Sequence, residues 1–301
     1  MNASKDNAKS FLEAAGSLRL SSCGRRLRVD SQSFGEFEAS DPSDSAEGLK
    51  ARLDESGYLF FRGFLSQAAI QEARLPLVES LSAESALDPN YPVDDVVAAP
   101  GFESDLRAEE GRYPGLRHLP RDTRVSVLFD RLFGEKSLCI DHTWIRIKTP
   151  GRATAPHCDI VYHRKGSPRL HTIWIPLGDV PLQQGPVMIL EGSHRAKPLV
   201  ENYCNLDVAE GRNATRLRFR HGGFFRGGQY TKKPDAAQRE LGGRWLTSDF
   251  QAGDVVVFSA FALHGALDNQ STRIRLSVDA RFQPASGTVD PRWLAREKKE
   301  S

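Results

Sequence analysis

His157-Cys158-Asp159 and, far downstream, Val255-Val-Val-Phe-Ser-Ala-Phe-Ala-Leu263 running into His264 are the stretches that decide how this chain folds. In extended backbone, residues i and i+2 share a face, so the His157 imidazole and the Asp159 carboxylate can converge on one ion while Cys158 points away. The run Val255 to Leu263 follows a Gly253-Asp254 turn and reads as a buried strand that delivers His264 at its end. Two imidazoles and one carboxylate form a face that leaves three octahedral positions open, the geometry of a non-haem iron(II) oxygenase centre.

The surrounding segments read as strands. Trp144-Ile-Arg-Ile-Lys148 alternates, Thr149 to Pro156 is rich in turn and breaker residues, and His171-Thr-Ile-Trp-Ile-Pro-Leu177 is β-branched and aromatic. Gly185 to His194 follows as a further apolar run. Ligands at one strand start and at a distant strand end suit a barrel that brings both to one mouth. Past His264, Arg275, Ser277, Asp279 and Arg281 alternate with Ile274, Leu276, Val278, Ala280 and Phe282. This is a strand with one polar and one apolar face, and the polar face lines either solvent or a ligand-filled lumen.

These residues resemble, in order and spacing, the phytanoyl-CoA dioxygenase family of Fe(II)/2-oxoglutarate-dependent oxygenases. The matching elements are Glu55 to Phe64, His157-x-Asp159, Trp174 to Val180, Gly192-Ser-His-Arg195, His264 to Asn269 and Arg275 to Gln283, so the resemblance covers roughly residues 49–284. It implies a mainly β fold with flanking helices, a double-stranded β-helix or jelly roll of the cupin-like kind. It also implies Fe(II) held by His157, Asp159 and His264, with 2-oxoglutarate and O2 taking the open positions. Arg275, eleven positions after His264, would anchor the distal carboxylate, because its planar fork pairs bidentately and stays charged. Arg273 competes for that role if the strand begins earlier. Trp174 has a counterpart near the cosubstrate and is either such a contact or a packing aromatic, while Thr172, on the same strand face, could donate its hydroxyl to 2-oxoglutarate. Where the family often carries a hydroxyl residue two positions beyond the second His, this chain has Ala266.

The implied activity is hydroxylation or desaturation of a small organic substrate, with 2-oxoglutarate converted to succinate and CO2. Asp159 matters here, since halogenating relatives carry a small residue at that position. Two other readings stand beside it: a metal-dependent jelly-roll hydrolase or isomerase, since a His-Asp-His set also holds zinc, and a catalytically silent binding member of the fold.

Composition agrees with an enzyme domain of ordinary solubility. The 301 residues are 39% hydrophobic with a formal charge of +2, which signals neither nucleic acid nor a membrane surface. Cys23, Cys139, Cys158 and Cys204 show no metal-type spacing, and with no apolar run of about 20 residues the expected location is cytoplasmic. Residues 1–48 read as a loosely ordered extension, 49–284 as the oxygenase domain and 285–301 as a charged tail. Ser66 is a plausible cap for a helix to Leu81 that spaces Ile70, Leu75, Val78 and Leu81 on one face, with Pro76 kinking or dividing it. An Arg- and Gly-rich insertion at about 200–250 contains Arg216, Arg218 and Arg220, flanked by Arg212 and Arg226, and could border the site and favour an anionic substrate. His142, His163, His171, His194 and His221 mostly have no second ligand-type residue at strand or helix spacing and read as structural, His194 as a loop hydrogen bond. Oligomeric state is not legible.

Overall fold

The computed structural model describes residues 2–103, 107–108, 112–210 and 227–294. Its strands in chain order are β1 (Ser21–Ser22), β2 (Arg25–Arg26), β3 (Phe34–Glu36), β4 (Tyr58–Phe61), β5 (Arg107–Ala108), β6 (Ser137–Cys139) and β7 (Trp144–Lys148). They continue with β8 (His171–Pro176), β9 (Val187–Leu190), β10 (Trp245–Thr247), β11 (Val255–Ser259), β12 (His264–Ala266) and β13 (Arg275–Pro284). A seven-stranded sheet runs β4-β11-β8-β13-β7-β5 with β6 also on β13, and faces a four-stranded sheet β12-β9-β10-β3. From β7 onward the chain steps between the sheets: β7, β8, β11 and β13 lie in the larger one, and β9, β10 and β12 in the smaller. The His157–His264 bridge adds one more crossing point at the edge of the smaller sheet. This is the jelly-roll arrangement, with flanking helices.

Both faces of the larger sheet are buried, so its strands read as continuous apolar runs. Val255 and Val257 of β11, Ile173 and Ile175 of β8, and Leu276, Val278, Ala280 and Phe282 of β13 face the helices; Val256 and Phe258 join Trp174, Ile189 and Phe250 between the sheets. The helices covering this outer face are α2 (Ala46–Ser56), α3 (Gln67–Ala83), α4 (Pro114–His118) and α5 (Thr123–Phe133), whereas α1 (Asn2–Ser17) packs on β3 of the smaller sheet. Phe129 of α5 stacks on Phe282 at 4.0 Å between ring centroids.

Helix α3 begins as expected, with the Ser66 hydroxyl accepting from the Ala69 N–H, but it continues unbroken past Pro76. Its buried face is Ile70, Ala73, Leu77, Val78 and Leu81, whereas Leu75 is 49% exposed. The i, i+3/i+4 spacing therefore runs through Leu77, and Pro76 stands on the exposed side where its ring disturbs no packing.

The N-terminal 48 residues are not a loose extension. β3 pairs in parallel with β10 as the edge of the smaller sheet, Phe34 is fully buried and stacks with Phe11 of α1 at 6.1 Å, and Leu20, Leu27 and Phe37 are buried too. The segment's Ser-rich, acidic composition hides these few apolar anchors. Phe34→Ala is expected to lower the unfolding free energy by about 3–5 kcal/mol, the usual cost of truncating a fully buried Phe; chemical denaturation of the whole chain measures it. The insertion ends before residue 245, because Trp245–Thr247 is β10 and belongs to the sheet. Arg212, Arg216, Arg218, Arg220, His221 and Arg226 lie outside the described residues. Among the described residues no helix is long and apolar enough to cross a membrane.

Candidate functional site

His157 and His264 face each other across an antiparallel bridge in which each N–H donates to the other's carbonyl, at 2.9 and 3.0 Å. Such a pair puts both side chains on one side of the sheet, which explains the 4.2 Å between the imidazole centroids. His264 does not end the Val255 strand, as expected from the sequence. β11 stops at Ser259, a turn closed by the Ala262 N–H donating to the Ser259 carbonyl carries the chain across, and His264 opens β12 in the other sheet. Cys158 is extended and turned away, its thiol 3.3 Å from the Phe261 carbonyl, after which the chain curls into a short helix starting at Asp159.

The three side chains meet. Asp159 Oδ1 lies 3.6 Å from His157 Nε2 and 3.8 Å from His264 Nε2, and the set is the one cluster of potential metal donors among the described residues. Each imidazole holds Nδ1 against a backbone carbonyl, His157 on Ala155 at 2.9 Å and His264 on Ala262 at 3.0 Å. A carbonyl only accepts, so Nδ1 carries the proton and Nε2 offers its lone pair to the centre. Burial, then the neighbouring His157, pushes the His264 pKa down to about 3, so His264 stays neutral. For Asp159, burial opposes ionisation, but the Arg281 guanidinium foremost holds its pKa well below the usual carboxylate range. Two imidazole nitrogens and one carboxylate fit a divalent iron.

Both oxygens of Asp159 have further partners. Arg281 Nη2 donates to Oδ1 at 2.8 Å and the Thr172 hydroxyl donates to Oδ2 at 2.5 Å. Thr172 thus spends its one proton on the carboxylate, leaving only lone pairs toward a cosubstrate. Arg281 also pairs with Asp279, which in turn receives a two-pronged contact from Arg146 at 2.8 and 2.9 Å. The Asp279 pKa falls to about 2: burial would raise it, and Arg146 and Arg281 outweigh burial. Two arginines and two aspartates therefore balance along this wall.

Arg275 is the charge left over. It is 3% exposed and its Nη1 donates to Ser277 Oγ at 2.6 Å, yet among the described residues no carboxylate lies within ion-pair distance. Burial, then Arg146, pushes its pKa down to about 10. It stands 5.8 Å over the Trp174 ring and shares with His157, His264, Val187, Phe258 and Ala266 a recess of about 30 Å³. A water needs about 10–15 Å³ on this measure, so the recess takes a carboxylate group rather than a whole dicarboxylate. Arg273 is out of the contest, being exposed and paired with Asp95 at 2.8 Å.

Arg146, Thr154 and His157 line both that recess and a larger cavity of about 540 Å³. The cavity's walls include Trp144, Tyr162, His163 and Trp293, and Arg152, Lys148 and Lys232 stand around it. Cys23 and Gly24, from the turn between β1 and β2, also reach it, held there by Asp268, whose Oδ2 accepts from the Ser21 hydroxyl at 2.6 Å and the Gly24 N–H at 3.0 Å. Among the other histidines, His194 makes the expected loop bond, to the Asp54 carbonyl at 2.9 Å, and His142 and His163 pack in a cluster with Trp144 and Trp293. The sequence reading missed Ser277 beside Arg275, the Arg281–Asp159 pair and the contribution of Cys23. For Ser277 the signal was present, since alternation places it on the Arg275 face.

Known proteins share this architecture. The model of the phytanoyl-CoA dioxygenase (PhyH) family matches residues 53–277. A 1-deoxypentalenic acid 11-beta-hydroxylase of Streptomyces arenae is 28% identical over 259 residues, 81% of this chain and 83% of the relative. That of Streptomyces exfoliatus is 26% identical over 254 residues with the same coverage. Among solved structures, EctD from S. alaskensis with 2-oxoglutarate and 5-hydroxyectoine superposes with a TM-score of 0.58 at 17% identity, covering 90% of this chain and 92% of that one. The epimerase SnoN in complex with Fe3+, alpha ketoglutarate and nogalamycin RO gives 0.55 at 19% identity, covering 85% and 91%. At these identities the structural likeness speaks for the jelly-roll fold; the family match, spanning most of the chain, makes this chain a member of the phytanoyl-CoA dioxygenase family of non-haem iron, 2-oxoglutarate-dependent oxygenases.

Proposed function

We propose that His157, Asp159 and His264 ligate the iron, that Arg275 with Ser277 anchors the distal carboxylate of 2-oxoglutarate beside Trp174, and that the substrate occupies the cavity of about 540 Å³. The observation that carries this reading is the buried, uncompensated Arg275 next to three converging metal donors. A hydrolase or isomerase would leave that cation without an anion to meet. Bound there, iron and 2-oxoglutarate supply oxidative decarboxylation to succinate and CO2 coupled to hydroxylation of a substrate C–H bond. The chain's own residues do the rest: backbone carbonyls of Ala155 and Ala262 keep the Nε2 lone pairs inward, and Trp174, Val187 and Phe258 keep water from the Arg275 end.

The substrate, in this reading, is a small organic acid. The cavity volume falls within the usual range for small ligands, roughly 300–1,000 Å³. Lys232 at its edge suits a carboxylate, as does Arg152 if it exchanges its exposed pair with Glu103, and the similar hydroxylases act, by name, on such an acid. Protein loaded with Fe(II) and 2-oxoglutarate should release succinate at least about tenfold faster with free acids than with their methyl esters. Equal rates for acid and ester would remove the acid from the reading and leave the oxygenase.

A further inference from the structure

We propose that Arg281 is a positioning residue for the metal-binding carboxylate, clamping Asp159 together with Thr172 so that it offers a single oxygen to the metal; this rests on the assignment of Asp159 as a ligand. Asp159 Oδ1 is the oxygen nearest both imidazole Nε2 atoms, and the same oxygen accepts from Arg281 Nη2. Its other oxygen, Oδ2, is occupied by the Thr172 hydroxyl at 2.5 Å. A carboxylate free to swing can bind a metal through both oxygens, which would consume a position that the cosubstrate or O2 requires. With Oδ2 held, that swing is blocked.

Arg281 is itself held from three sides. Its guanidinium carbon sits 3.9 Å from the Trp144 ring centroid, its Nη1 pairs with Asp279, and it is 3% exposed. Its Nε has no hydrogen-bond partner, so the group is placed for Asp159, Asp279 and the ring rather than for saturation of its own donors. Asp279 keeps its two bonds from Arg146 whether or not Arg281 is present. Arg281 is therefore not the sole counter-charge of that aspartate, and its contact unique to the site is the one to Asp159. A lysine would supply charge but not the planar fork that reaches both carboxylates at once.

The test is an anaerobic titration of the metal-free full chain with Co(II), read by its visible absorption, followed by the charge-transfer band of the Fe(II)–2-oxoglutarate complex. Arg281→Gln should weaken Co(II) binding about 10- to 100-fold, as loss of a partner that orients a metal ligand does, with a displaced band; Arg281→Lys should recover part of both. Thr172→Val removes the other arm without touching any charge and should displace the band in the same sense, which decides the matter if Arg281→Gln does not fold. Wild-type Co(II) affinity and band position in the folded variants, even with a lowered melting temperature, would overturn the clamp and leave Arg281 a packing residue. Asp159→Ala serves as the control for the underlying assignment: if it binds Co(II) as wild type does, Asp159 is not a ligand and it is that assignment, not the clamp, that has failed.

Discussion

His157→Ala, Asp159→Ala and His264→Ala are each expected to reduce coupled succinate release to background, a loss well beyond the roughly 10- to 100-fold typical of residues that merely orient a ligand. The three donors come from different parts of the fold: an edge bridge, the start of a short helix and the first residue of β12. No neighbour among the described donors can substitute, since Cys158 faces the opposite side and His163 stacks on the aromatic cluster. The variants should differ in stability. His264→Ala and His157→Ala remove imidazole rings that carry no ion pair with an arginine, whereas Asp159→Ala strands Arg281 with one carboxylate fewer at a fully buried position, where breaking an ion pair costs about 3–5 kcal/mol. Thermal melting of the metal-free proteins should accordingly rank Asp159→Ala lowest. Near-normal 2-oxoglutarate decarboxylation in any of the three would remove that residue from the ligand set.

What could be read in advance follows a physical division. Residues whose role depends on local periodicity were legible: the two-residue alternation of β13 separated Arg275, Ser277, Asp279 and Arg281 from the apolar face, and the structure decides between solvent and lumen by burying both faces. Residues whose role depends on a distant partner were not. Nothing near Arg281 in sequence announces Asp159, 122 positions away, and β3 becomes a strand only because β10 offers it an edge. The misplaced end of the Val255 strand has the same origin. Ser259 to Leu263 is built of residues that a strand accepts, and the crossing to the second sheet is imposed by where His157 and β9 lie. Leu75, counted on the buried face, is exposed and Leu77 takes its place, because the helix continues through Pro76 without a break.

Arg275→Gln is expected to raise the 2-oxoglutarate concentration needed for half-maximal turnover by roughly 30-fold or more, since truncating one partner of a buried charge pair costs about 2–5 kcal/mol. Arg273→Gln should change it little, because Arg273 sits in an exposed pair with Asp95, the kind worth about 0–1 kcal/mol. The ligand-free protein supplies a second, opposite signature. Among the described residues Arg275 has the Ser277 hydroxyl as its one hydrogen-bond acceptor, and its lowered pKa, driven by burial and then by Arg146, reflects the cost of keeping that charge out of water. Without cosubstrate, Arg275→Gln should therefore melt no lower than wild type, and higher if the amide finds Ser277. On adding 2-oxoglutarate with Fe(II), wild type should gain thermal stability by the linkage of binding to folding, and Arg275→Gln should gain much less at the same concentration. Equal gains in the two proteins would mean that the dicarboxylate is anchored elsewhere in the lumen, where Arg146 is the other arginine lining the same recess.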